Sequence, residues 1–205
     1  MNKSQYMSVI DIEKGGATAR SVVLSIGITT LDATTLEQVS QFYVSVNPYC
    51  DENAAREWCN GARSFWISQS DDVRDEAMRV MGSATLTQAL TKLSEYIALL
   101  KSTGNVHVIG DCNNLDIEVL NNAFIQTQIK TPWERANEQS ISAITWFGRT
   151  FFGIDYTKAT DFDGTKNHAL YDSGHNAAIA AKTINYIKHQ GLTNVTSDGI
   201  HTPQV

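Results

Sequence analysis

The sequence predicts a single α/β domain. Three β-rich runs open the chain, an amphipathic helix and a buried apolar run follow in a β-β-β-α-β order, and helical spacing dominates the remainder. At 205 residues the chain is long enough for one core that needs no disulfide or metal staple, expected to span about residues 7–190. No internal repeat, low-complexity tract or inter-domain linker breaks it.

The first strand, residues 7–12, carries the segment Ser8-Val9-Ile10-Asp11-Ile12-Glu13. Side chains alternate along a strand, so Asp11 and Glu13 share one face while Ile10 and Ile12 share the other. Two carboxylates that close are costly unless they are protonated, hydrogen-bonded or joined by a cation, and oxygen-rich clusters suit Mg²⁺ or Mn²⁺. An edge strand with two solvated acids is the alternative for an Asp-x-Glu taken alone.

A Lys14-Gly15-Gly16 turn leads to a second β run over residues 21–30, and Gln41 to Val46 forms a third that Asn47-Pro48 ends. Three successive strands predict an antiparallel meander. From Asp51 to Ser83 the text is helical and polar, with Trp58, Phe65 and Trp66 as its large apolar residues. Leu86 to Leu100 places apolar residues at helical spacing, and Gly104 and Asn105 stop it. Val106 to Gly110 is the next strand. Asp116 to Phe124 then reads as a helix with Leu120 and Phe124 inward and Asp116 in the first turn, where the dipole favours an acid. Thr131-Pro132-Trp133 opens a loop. Ile141 to Phe152 reads as a helix with Ile144, Phe147 and Phe151 facing in, residues 160–167 as a loop, and Ala169 to His189 as a last long helix with Ile179, Ile184 and Ile187 on its apolar side. The tail from Asn194 is expected to fray.

Composition narrows the functional classes. Cys50, Cys59 and Cys112 make an odd count with no Cys-x-x-Cys pair, which points to neither a disulfide framework nor a zinc site and suits a reducing compartment. Neither a secretory leader nor a run of membrane-spanning length is legible, so a cytoplasmic protein is expected, in the host cytoplasm if it is phage-encoded. A formal net charge of -6 argues against a protein that grips nucleic acid mainly by electrostatics. It leaves open an enzyme acting on nucleic acid, because bound divalent ions reverse the local charge of an acidic site.

The acids and several aromatic segments together resemble the DEDD 3′-5′ exonucleases of the ribonuclease H-like superfamily, of the DEDDh type. The nearest likeness is to the phage exonuclease A and exonuclease VIII branch. Asp11-Ile12-Glu13 matches the family's Asp-x-Glu on the first strand, and Leu115-Asp116-Ile117-Glu118-Val119-Leu120 matches its second motif. Phe65-Trp66-Ile67-Ser68-Gln69-Ser70 resembles the branch's Trp-Trp-x-x-Gln-Ser, and Pro132-Trp133 its Pro-Trp. The resemblance covers residues 7–188 and implies a mixed central sheet of about five strands with helices on both faces.

The third motif departs from the pattern. The branch carries His, one residue, Ala-Leu, one residue, Asp; here the text is Asn167-His168-Ala169-Leu170-Tyr171-Asp172, with Asn167 where the family has its catalytic His. A second register puts His175 in the His position and Ala180 in the Asp position, which loses a metal ligand; the first keeps Ala169-Leu170 and the fourth carboxylate. In the first register the resemblance implies Asp11, Glu13, Asp116 and Asp172 as ligands of two Mg²⁺ or Mn²⁺ ions, Asp11 bridging both. Asn cannot take up a proton at neutral pH. Either His168, four residues before Asp172, replaces the base, or Asn167 is an inactivating change and His168 a solvated neighbour.

The activity implied is metal-dependent removal of nucleotides from the 3′ end of single-stranded DNA or RNA. Phe65 and Trp66 are candidates to stack on terminal bases, with core packing as the alternative. A non-catalytic nucleic-acid binder or adaptor on the same fold is the second reading. A divalent-cation-binding protein unrelated to nucleic acid is the third, without an EF-hand loop to support it.

Overall fold

The structure, a computed structural model, describes residues 3–111 and 114–197. Strand β1 (Ser4–Lys14) is the centre of a five-stranded sheet, with β2 (Val23–Asp32) and β3 (Gln38–Ser45) on one side and β4 (Gly104–Gly110) and β5 (Glu138–Ser140) on the other. The order is β3-β2-β1-β4-β5. β1, β2 and β3 pair antiparallel as the short connections dictate, whereas β4 runs parallel to β1 and β5 parallel to β4. The expected mixed α/β sheet is the one observed.

The pleat of β1 sorts the two layers. Ile10 and Ile12 face α4 (Leu86–Thr103) and α5 (Leu115–Gln126), where Leu90, Leu93, Ile97, Ile117, Leu120 and Phe124 close the larger core. Val9 faces the other way, toward α6 (Ile141–Phe152) and α7 (Ala169–Ser197), and joins Ile109, Ile141, Ala177, Ile179 and Ala180. Asp11 and Glu13 lie on that second face, beyond Val9. The α4 start is fixed by a capping box in which the Thr85 hydroxyl accepts from the Gln88 N–H and the Gln88 side chain accepts from the Thr85 N–H.

The polar stretch after β3 forms three short helices, α1 (Asp51–Ala54), α2 (Asn60–Ser68) and α3 (Asp71–Ala77), under which Trp66 packs with Val22, Leu24 and Ala77. Helix α6 has the expected span but a different inward face. Ile141, Thr145 and Gly148 are its buried residues, while Phe147 and Phe151 are exposed. Close approach to α7 explains the difference: a Cβ on Gly148 would stand 2.8 Å from Thr183 Cγ2, so α6 meets α7 through small residues and its phenylalanines are turned outward. Ile184 and Ile187 of α7 are only half-buried for the same reason, the contact being carried by Ala177, Ile179, Ala180 and Thr183. Helix α7 includes Asn194 to Ser197, and the rest of the tail, like Cys112, lies outside the described residues. Among the described residues no helix is long and apolar enough to cross a membrane.

Candidate active site

Asp11 sits opposite Gly27 in the β1–β2 ladder. A Cβ at Gly27 would lie 2.1 Å from the carbonyl carbon of Ala169, so the first turn of α7 rests directly on the backbone of β2. That contact brings Asp172, one turn into α7, over the two acids of β1. Asp11, Glu13 and Asp172 each offer a carboxylate oxygen, all within 4.8 Å of one another. The His168 N–H donates to Asp172 Oδ2 at 2.8 Å and fixes the third acid against the helix start. Replacing Gly27 by alanine is expected to push α7 off the sheet, with a stability loss of about 1–3 kcal/mol. Mn²⁺ affinity should fall at least ~10-fold with it; a calorimetric Mn²⁺ titration that matched the parent would show that this contact does not set the cluster.

Burial raises Asp11 well above the carboxylate range, and repulsion from Asp116, Glu13 and Asp172 adds to it. Burial, then the Asp172 charge, pushes Glu13 up to about 8. Asp172 is raised by burial, against which the His168 N–H works. A carboxyl raised in the folded state holds more protons than in the unfolded chain, so stability declines as pH climbs from the ordinary carboxylate range through the folded value. The metal-free protein should therefore melt lower at about pH 8 than at about pH 5.5, and Mn²⁺ should raise Tm more at the higher pH. A Tm independent of pH across that window, with or without Mn²⁺, would contradict the clustering.

Asp116 enters from the start of α5 and is 1 % exposed. Its Oδ1 pairs with Lys14 Nζ at 2.5 Å, while its buried Oδ2 meets no hydrogen-bond donor among the described residues. Burial raises its pKa and Lys14 opposes the rise. The converging oxygens and the orphaned Oδ2 fit divalent cations, hard ions that take oxygen ligands.

A cavity of about 380 Å³ opens over the cluster, walled by Asp11, Glu13, Asp172, Lys166, Asn167 and His175 among others. Asn167 takes a left-handed backbone, φ 59°, a conformation Asn tolerates, and its Nδ2 donates to Gln69 Oε1 at 3.0 Å. The Gln of the 65–70 segment thus touches the position where the resembled family has its His. Of the two registers, the first is the one the packing supports, since Ala180 is wholly buried among Val9 and Ile109 while Asp172 stands with Asp11 and Glu13.

Two of the candidate residues lie away from the cavity. The His168 ring stacks on Tyr43 with centroids 4.6 Å apart, and its Nδ1 accepts from the Leu170 N–H at 3.3 Å. It caps α7 and is not among the residues walling the cavity, so it is not placed to take a proton there; burial also lowers its pKa. Trp66 is 1 % exposed, and its indole N–H donates to the Lys14 carbonyl at 3.1 Å, so it holds the end of β1 and presents no ring to a base. Phe65, packed edge-on against Trp66, stays 43 % exposed. Lys14 and Gly27 were not singled out as site residues by the sequence, and His175 entered only through the other register. A Lys after Asp-x-Glu and a Gly inside a β run carry no signal of partners that arrive from distant segments.

The model of the 3′-5′ exoribonuclease Rv2179c-like domain matches residues 6–184. The chain belongs to this exoribonuclease family. No curated protein sequence matches it. Among solved structures it is similar to the nuclease domain of 3′hExo, a DEDDh family member, bound to rAMP, with 19 % identity, a TM-score of 0.62, and coverage of 88 % of this chain and 92 % of that one. A 3′-exonuclease solved for 3′-end-specific recognition of a histone mRNA stem-loop gives 19 % identity and a TM-score of 0.63 over 91 % and 84 % of the two chains. E. coli exonuclease I in complex with a dA16 oligonucleotide gives 14 % identity and a TM-score of 0.62 over 90 % of this chain but 43 % of that one. Exoribonuclease-family membership and the ribonuclease H-like fold thus agree with the DEDD-type resemblance of the motifs. The likeness to the phage exonuclease A and exonuclease VIII branch finds no counterpart among these relatives.

Proposed function

We propose that this exoribonuclease-family protein removes nucleotides from the 3′ ends of single-stranded RNA in a divalent-metal-dependent reaction, at a rate held down by Asn167. The observation that carries the reading is the convergence of Asp11, Glu13 and Asp172 within 4.8 Å under an open cavity, with Asp116 beside them. These four acids would hold two Mg²⁺ or Mn²⁺ ions, which when bound supply an activated water and neutralise charge at the phosphoryl group and the leaving oxygen. Asp172 is held for this task by the His168 N–H, and Gly27 keeps α7 close enough for it to reach. Asn167 stands at the cavity wall, where a base is wanted, and its amide can orient a water but not take its proton. Phe65, exposed on α2, offers a face for a terminal base. RNA is favoured over DNA by the family that matches. A cytoplasmic location belongs to the same proposal.

A second reading is carried by the Asn167–Gln69 hydrogen bond, which ties up the base position with a group that cannot be a base: a protein that binds 3′ ends without cutting them. Linear and circularised RNA of one sequence, incubated with Mn²⁺, separate the proposals. Shortening of the linear form alone supports the exonuclease. Degradation of both forms would indicate internal cleavage and overturn it, and retained binding without product would favour the second reading.

A further inference from the structure

Helix α2 separates two cavities. Phe65 and, just past the helix end, Gln69 share one side, where Gln69 meets Asn167 at the wall of the acid cavity. Arg63 and Ile67, one turn apart, share the other, and the buried Trp66 lies between the two sides. There a second cavity of about 440 Å³ opens, walled also by Pro48, Tyr49, Trp58 and Met78, with no acid among its walling residues. The backbone after Trp58 is tied to the end of β1, where the Cys59 N–H donates to the Gly15 carbonyl at 2.8 Å.

The wall of this second cavity is mainly apolar, and Asn53, which also borders it, spends its amide on the backbones of Val23 and Asn47. Arg63 is the charged group left to a ligand. Its guanidinium lies over the Trp58 ring, 5.3 Å from the centroid. Arg20, Arg74, Arg79 and Arg149 each meet a carboxylate, whereas Arg63 makes no ion pair among the described residues. In a chain of net charge -6, a cation without an acid beside exposed Tyr49 is complementary to an anion that carries a flat ring. A nucleotide has both parts: a base with a π-face for the aromatic wall, and a phosphate for the guanidinium. We propose that this cavity holds a nucleotide of the RNA strand lying 5′ of the one being removed, its base against Tyr49 and its phosphate on Arg63. The inference rests on the reading of the acid cavity as a site for RNA 3′ ends. A helix with its side chains is about 10–12 Å across, so a strand reaching from one cavity to the other must pass several nucleotides around α2. Short RNAs fill the acid cavity alone.

The test measures binding of 5′-fluorescein-labelled diuridylate and heptauridylate by fluorescence anisotropy, with Ca²⁺ in place of Mn²⁺ and a phosphorothioate at the 3′-terminal linkage so that the strand persists. The parent should bind the heptamer at least ~10-fold more tightly than the dimer, the usual worth of a stacked base. Arg63→Ala and Ile67→Glu, both at exposed positions of α2, should each lose that advantage and leave the dimer affinity unchanged. Arg63→Ala should also flatten the slope of log K against log salt by about 0.7, the share of one phosphate on a single strand. Unchanged heptamer affinity in both variants, or an equal loss on the dimer, would overturn the proposal. A parent that shows the expected binding yet never shortens unmodified heptamer with Mn²⁺ would support this site and overturn the exonuclease reading alone. A parent with no affinity for either RNA would overturn both.

Discussion

Asp11→Ala is expected to abolish both metal-dependent cleavage and tight Mn²⁺ binding. Asp11 lies under the charge of all three other acids, Asp116, Glu13 and Asp172, which it would bring to a common ion. Removing a residue that merely supports a ligand costs typically 10–100-fold in metal affinity or activity; removing this carboxylate should exceed that, to about 10³-fold or more. The fold should survive, because the strand is held by Ile10 and Ile12 and by its ladders to β2 and β4. Relief of repulsion among buried acids should even raise the metal-free Tm at neutral pH. Cleavage kinetics and a calorimetric Mn²⁺ titration on the same preparation check both halves. Unchanged cleavage would remove the basis of the active-site assignment.

Asn167→His is expected to act in the opposite direction, with a gain of about 10²–10⁴-fold in kcat, the usual contribution of a positioned general base. The left-handed backbone at position 167 is open to His almost as readily as to Asn, so the substitution should cost little in stability. It does sacrifice the hydrogen bond to Gln69, which is half-buried and can turn to water. The gain should come with a new limb in the pH–rate profile at the pKa of an imidazole. His168→Asn, by contrast, should leave no such signature in the profile, since that ring caps α7 and lies against Tyr43. A rate unchanged in Asn167→His would show that the position is not where the proton goes.

What was legible in the sequence follows periodicity, and what was not depends on contacts between distant segments. The pleat alone put Asp11 and Glu13 on one face and Ile10 and Ile12 on the other, as observed. The five-stranded mixed sheet came from the resemblance, and its last strand had no signal of its own. Glu138 to Ser140 is a polar three-residue edge whose pairing with Val108 to Gly110 is made by backbone. The inward face of α6 was misread because Phe147 and Phe151 dominate its hydrophobicity, whereas the distance between helices is set by Gly148 and Thr183. The third motif read in two registers, with its acid position at Asp172 or at Ala180 about two turns on, and the burial of Ala180 supports the first. Lys14, charged and at the end of a strand, reads as a solvated side chain; its partner lies 102 residues away, and only the fold joins them.

Whether these acids serve a metal-dependent exonuclease is open to a single experiment. The most direct measurement is a time course on 5′-labelled single-stranded RNA and DNA of matched sequence, with Mn²⁺ and with EDTA, for the parent and Asn167→His proteins. A ladder is expected that shortens from the 3′ end, needs Mn²⁺, favours RNA, and is slow in the parent and fast in the variant. Shortening that persists in EDTA, or no shortening by either protein on either strand, would contradict it.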